Sequence, residues 1–110
     1  MVVKDFQDVE AQPSEGVEGV TIRWVIAKQD GAPHFALRVI EVRPGCATPH
    51  HQHEWEHEVF VLAGRGAVKG DGGEQPLREG SVVLVPGNEL HQFINTGEDV
   101  LRFICLIPNR

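Results

Sequence analysis

The chain has no tyrosine, and its 110 residues include only two cysteines and two tryptophans. Cys46 and Cys105 lie far apart and form no CxxC pair, so free thiols in a reducing cytosol are expected. No apolar run approaches the roughly 20 residues needed to span a bilayer. The first residues carry Lys4, Asp5, Gln7, Asp8 and Glu10 and lack the apolar segment of a secretory signal, so a cytoplasmic location is expected. There is no excess of basic residues: Lys plus Arg number 10 against 16 Asp plus Glu, a net charge of −6. Nucleic-acid and anionic-membrane partners both need a basic face and are excluded on that ground. No internal repeat, low-complexity tract or linker interrupts the chain. After residue 16 no segment shows a helical period, and no helix-turn-helix has room. A length of 110 residues holds one core, so a single domain over 1–110 is expected, with 1–16 an N-terminal arm or edge strand.

What is present is punctuation. Twelve glycines and seven prolines separate short apolar runs. Strands are predicted over Val20–Ala27, Phe35–Val42, Glu58–Leu62, Gly66–Lys69, Ser81–Val85, His91–Ile94 and Val100–Ile107. Turns are predicted at Asp30-Gly31-Ala32-Pro33, Pro44-Gly45, Gly70-Asp71-Gly72-Gly73, Pro86-Gly87 and Asn95-Thr96-Gly97. Many closely spaced strands of this kind point to an all-β sandwich or barrel.

Six histidines are present, and five of them, His50, His51, His53, His57 and His91, fall in two stretches. Side chains alternate along an extended segment, so His51, His53 and His57 share one face with Val59 and Val61. Glu58, Phe60 and Leu62 take the other. Imidazole is the commonest ligand for zinc, copper, iron and nickel, and manganese accepts it in mixed sites. His91 opens a later strand after a Pro-Gly turn, and antiparallel pairing brings it alongside. A lone HxH is most often a solvated loop. Here the spacing says more. Gly45, five residues, His51, one, His53, three, His57, six, Gly64 forms one pattern; Gly80, five, Pro86, one, Asn88, two, His91, three, Asn95 forms a second.

These patterns resemble the two motifs of the cupin superfamily, G(X)5HXH(X)3–4E(X)6G and G(X)5PXG(X)2H(X)3N. The resemblance implies an antiparallel jelly-roll barrel, the double-stranded β-helix of that family. Two positions depart from it. Asn88 stands in place of a glycine, and asparagine is the residue after glycine that best tolerates a left-handed backbone. His57 occupies the slot of the usual ligand glutamate. That substitution, the stretch from His51 to Leu62 and the ending from Phe103 to Pro108 are similar to small stand-alone cupins with an all-histidine manganese site. The implied ligands are His51, His53, His57 and His91. Counting back from Gly64, and strand parity, favour His57 over Glu58, which is read as a solvent or interface carboxylate. His50 is read as an exposed neighbour.

The resemblance implies one divalent ion, manganese first, with iron, nickel, zinc or copper also suited to imidazole. It places Thr48, Val59, Phe93, Phe103 and Ile107 around the cavity, with Arg38 and Cys105 as the candidate catalytic side chains. Cys105 is not read as a ligand, because four histidines already satisfy the ion; a thiol there would be the first group to meet activated oxygen. Four neutral ligands leave the full charge on the metal, which makes it a strong Lewis acid. Three functions follow as expectations. The first is a metal-dependent dioxygenase-type oxidoreductase, an oxygenase or oxidase on a small, largely apolar organic molecule. The others are a sugar-type isomerase or epimerase, and a non-catalytic small-ligand-binding module. A homodimer is expected, with the N-terminal strand pairing across subunits to cover a barrel edge.

Overall fold

The computed structural model describes residues 1–109. Its strands are β1 (Gln12–Pro13), β2 (Val20–Ile26), β3 (Phe35–Val42), β4 (His57–Ala63), β5 (Gly66–Gly70), β6 (Gly73–Leu77), β7 (Val82–Val85), β8 (Gln92–Asn95) and β9 (Leu101–Pro108). Short 3-10 turns cover Phe6–Asp8 and Lys28–Asp30. Two antiparallel sheets face each other. The larger has the order β1-β2-β3-β9-β4-β7 and the smaller β6-β5-β8. This is the all-β jelly-roll that the strand spacing and the motif resemblance predict. Among the described residues no helix is long and apolar enough to cross a membrane.

Alternation explains why the sheets close. In β9, Leu101, Phe103, Cys105 and Ile107 are buried, while the residues between them are half-buried. Val42, Val61, Leu101 and Phe103 of the large sheet are fully buried, and Leu77 and Phe93 of the small sheet join them in one core. The rings of Phe93 and Phe103 stack with centroids 4.8 Å apart and 28° between planes, which joins the two sheets.

The motif residues that are not histidines have structural work. Asn88 has φ of 68°, the left-handed conformation expected at this turn. Gly64 has φ of 90°, and a Cβ there would lie 2.5 Å from the Val100 carbonyl oxygen, so only glycine lets β4 and β9 approach at that end. Asn95 is buried and ties the end of β3 to the loop between β8 and β9. Its Nδ2 donates to the Val42 and Asp99 carbonyls, each at 2.8 Å, and its Oδ1 accepts from Gly97 N at 2.9 Å.

Two local expectations change, and the N-terminal strand finds a pairing within the chain. The histidine segment is not one strand: His51 forms an isolated bridge, a bend falls at Glu54-Trp55, and regular pairing begins only at His57. β6 carries few apolar residues and contains Pro76, so it gives no strand signal; it survives because it is an edge strand. The N-terminal strand folds on its own chain, with Gln12 opposite Ile22 and Pro13 opposite Thr21. The reason lies in Arg23 and Phe6. Arg23 Nη1 donates to the Gln7 and Val9 carbonyls at 3.0 Å, and Arg23 and Arg102 lie 5.7 and 5.4 Å from the Phe6 ring centroid. This arm covers one end of the outer face of the large sheet. The other end is left open, with Phe35, Phe60, Val82 and Leu84 exposed.

Replacing Asn95 by Ala leaves the Val42 carbonyl without its Asn95 donor inside the core. The expected loss is about 2–4 kcal/mol, at roughly 1 kcal/mol for each bond and more for the buried one. Urea denaturation checks it; a loss under about 0.5 kcal/mol would mean that solvent takes over these bonds.

Candidate metal centre

The two histidine stretches meet through the backbone. His51 N donates to the His91 carbonyl at 3.1 Å and His91 N donates to the His51 carbonyl at 2.9 Å. Asn88 N donates to the His53 carbonyl, so the left-handed turn holds the second histidine as well. Donor atoms of His51, His53 and His91 all lie within 4.8 Å of one another. His57 enters from the first position of β4, with its ring centroid 5.1 Å from that of His53 and 5.0 Å from that of His91. His57 and His91 are buried; His51 and His53 are half-buried at the mouth.

Hydrogen bonds set the rings. His91 Nδ1 lies 2.8 Å from the Glu89 carbonyl oxygen. A carbonyl only accepts, so Nδ1 carries the proton and Nε2 keeps its lone pair. The His53 ring lies against Trp55, with centroids 4.4 Å apart and 11° between planes. His57 Nε2 is buried and has no hydrogen-bond partner, although its other nitrogen lies among polar groups. Converging imidazole nitrogens, one of them orphaned, suit a borderline divalent ion. The three histidines at 51, 53 and 91 could hold one.

Burial and repulsion from neighbouring cations keep His57 and His51 neutral. His57 is lowered to about 3, first by burial and then by Arg38 and the neighbouring histidines. His51 is lowered to about 4, again first by burial and then by His53, His91 and Arg38.

Behind the rings lies a cavity of about 90 Å³. Of the residues expected to line it, Arg38, Thr48, Phe93, Phe103 and Cys105 do so. Val59 and Ile107 are buried in the core and do not border it. The strand parity that put them inward is right, but they pack between sheets. Glu58 and His50 are exposed. Thr48 serves the fold, its hydroxyl accepting from Phe93 N at 2.8 Å. Sequence reasoning missed Ser14, Val20, Ile22, Ile40 and Pro49, which also line the cavity. Ile40 was legible, since it shares a face with Arg38; Ser14 comes from the arm and gave no signal.

Arg38 is 9% exposed and faces Cys105 across the β3–β9 pairing. Its Nη2 donates to Cys105 Sγ at 2.9 Å, its guanidinium carbon lies 5.3 Å from the Trp24 ring centroid, and its Nε is buried without a partner. No carboxylate lines the cavity among the described residues. The site is cationic within an acidic chain.

A two-sheet jelly-roll with clustered imidazoles at its mouth defines a small β-barrel protein with a candidate metal centre. The chain belongs to the cupin domain family, whose model matches residues 38–107. It is similar to the polyketide cyclase RemF of Streptomyces resistomycificus, with 33% identity and a TM-score of 0.90 over 98% of this chain and 79% of that one. It is 32% identical over 69 residues to the oxalate-binding protein of Thermotoga maritima, covering 62% of this chain and 57% of the relative. It is 28% identical over 103 residues to the polyketide synthase CurC of Streptomyces cyaneus, covering 93% of this chain and 66% of that protein. The chain spans about half the length of the first curated relatives it matches.

The lowered histidines fix the sign of a pH effect in the metal-free protein. Below about 6.5 the unfolded chain takes up protons at His51 and His57, while the folded chain refuses them until about 4 and 3. Stability therefore falls as pH drops from about 6.5 toward 4, and His57→Ala flattens the fall. Thermal melts of chelator-treated protein across this window test it; equal slopes for the two proteins would contradict it.

Proposed function

We propose that this chain is a metal-dependent enzyme acting on a small, largely apolar carbonyl compound that it binds as an oxyanion. One observation carries the reading: a buried arginine and four clustered imidazoles share a cavity that no carboxylate lines among the described residues. His51, His53, His57 and His91 would hold one divalent transition ion, manganese by resemblance. Such an ion supplies Lewis acidity, which lowers the pKa of a proton next to a carbonyl and stabilises the resulting enolate. Arg38 is placed to donate to the same oxygen or to a neighbouring carboxylate, a charge-assisted bond in a dry site. Phe93, Phe103, Ile40 and Val20 receive the apolar part and exclude water. At about 90 Å³ the cavity takes only the reacting end, leaving the remainder of a larger molecule at the mouth beside Ser14 and Pro49.

The likeness to a polyketide cyclase supports an enolate that closes a ring; the oxygenase or oxidase reading takes the same enolate to dioxygen. Oxygen uptake with enolisable substrates separates them. A sugar-type isomerase is disfavoured, because among the described residues only Ser14 and Thr48 bring hydroxyls to the cavity and Thr48 is engaged. Non-catalytic anion binding is the second reading, and the likeness to an oxalate-binding protein favours it.

Oxalate serves as a probe of the shared anion chemistry. Metal-loaded protein is expected to bind it, and Arg38→Leu to weaken binding about tenfold or more, the value of one charge-assisted hydrogen bond. Calorimetry measures both. Equal affinity in the variant would remove Arg38 from the site, and no binding to either protein would remove the oxyanion reading.

We also propose a homodimer through the open outer face. Phe35, Phe60, Val82 and Leu84 are 61, 46, 71 and 61% exposed, and β7 is an edge strand. At about 150–200 Å² per large side chain they leave roughly 400 Å² bare. Half-buried Leu37, Ile104 and Leu106 border the same groove. A two-fold axis beside β7 would pair it antiparallel with its copy and reach toward the roughly 800 Å² per subunit of a stable interface. Sedimentation should give a dimer that Leu84→Lys converts to a folded monomer. A wild-type monomer at high concentration would end this proposal.

A further inference from the structure

Three buried groups from three strands meet on one sulfur. Arg38 of β3, His57 of β4 and Cys105 of β9 are brought together by the pairings Arg38 with Cys105 and Val59 with Cys105. Arg38 Nη2 lies 2.9 Å from Cys105 Sγ, His57 Nδ1 lies 3.1 Å from the same sulfur, and Nη2 lies 3.4 Å from Nδ1. Arg38 only donates, and the sulfur is its nearer acceptor. Two arrangements then remain for His57. If the thiol donates to Nδ1, the ring proton sits on Nε2, a buried N–H with nothing to receive it. If Nδ1–H donates to Sγ, Nε2 keeps a lone pair among the other imidazoles.

We propose that Cys105 is a positioning residue: its sulfur accepts from His57 Nδ1–H and from Arg38, and so holds His57 in the tautomer whose Nε2 can bind metal. The inference rests on the four-histidine reading above. It gives His57 what the Glu89 carbonyl gives His91, an acceptor that fixes ring and tautomer. It also accounts for a sulfur in a face otherwise filled by Phe103 and Ile107. Arg38 keeps the sulfur in place from the far side, and its stack against Trp24 restrains the guanidinium in turn. Neither role needs the thiol to ionise.

Nitrogen-15 NMR of histidine-labelled, metal-free protein near neutral pH reads the tautomer directly. His57 is expected as the Nδ1–H form; an Nε2–H form would overturn the proposal whatever the variants do. Zinc affinity, from competition with a chelator, gives the second readout. Cys105→Val keeps the bulk and removes the acceptor, and should weaken zinc about tenfold or more. Cys105→Ser restores an acceptor and should recover most of that loss. His57→Ala should lose at least as much as Cys105→Val, while Glu58→Ala should bind as wild type. If His57→Ala weakens zinc but Cys105→Val does not, the metal site stands and the positioning role fails. If His57→Ala binds zinc as tightly as wild type, the four-histidine reading fails and this inference with it.

Discussion

Two backbone hydrogen bonds between His51 and His91 are the contact on which the rest depends. Together with the bond from Asn88 N to the His53 carbonyl, they stitch the irregular segment after β3 to the segment before β8 at the level of the histidines. Without them His51 would hang on a loop that bends at Glu54-Trp55. With them, donors 40 residues apart in sequence share a space of a few ångströms. The stacked Phe93 and Phe103 give the bridge its foundation, since Phe93 stands two residues beyond His91 on the same face.

The electrostatics follow from this arrangement. Closing the two sheets buries imidazoles with no anionic partner, and the response is visible in how far His51 and His57 are held below the ordinary value. A buried guanidinium in the same space would be costly if nothing met it. The Cys105 sulfur and the Trp24 ring divide that task. A net charge of −6 over the chain therefore says nothing about the site, which has the opposite sign.

Much of this was legible in the sequence because the motif positions are local. Spacing from Gly45 to Gly64 and from Gly80 to Asn95 carried the turns, the strand starts and the convergence of imidazoles. Parity grouped Phe93 with His91, and Phe103 with Cys105; the cupin resemblance carried them and Arg38 to the interior. What escaped is non-local. Parity cannot tell the cavity wall from the sheet interface, so Val59 and Ile107 were put in the wrong layer of a correct interior. β6 has no periodic signal, because an edge strand with Pro76 needs none to pair with β5. The meeting of Arg38, His57 and Cys105 depends on the register of three strands, which no single segment encodes.

The absence of tyrosine acquires a meaning once the two tryptophans are placed. Trp55 stacks on His53 and Trp24 lies against Arg38. Every indole in the chain thus touches either a ring at the metal centre or the cation behind it. With no tyrosine in the chain, indole emission reports on these two contacts without a competing phenol. The molecule thus carries its own optical gauge, with one indole beside the clustered histidines and the other beside the buried guanidinium, and no label attached.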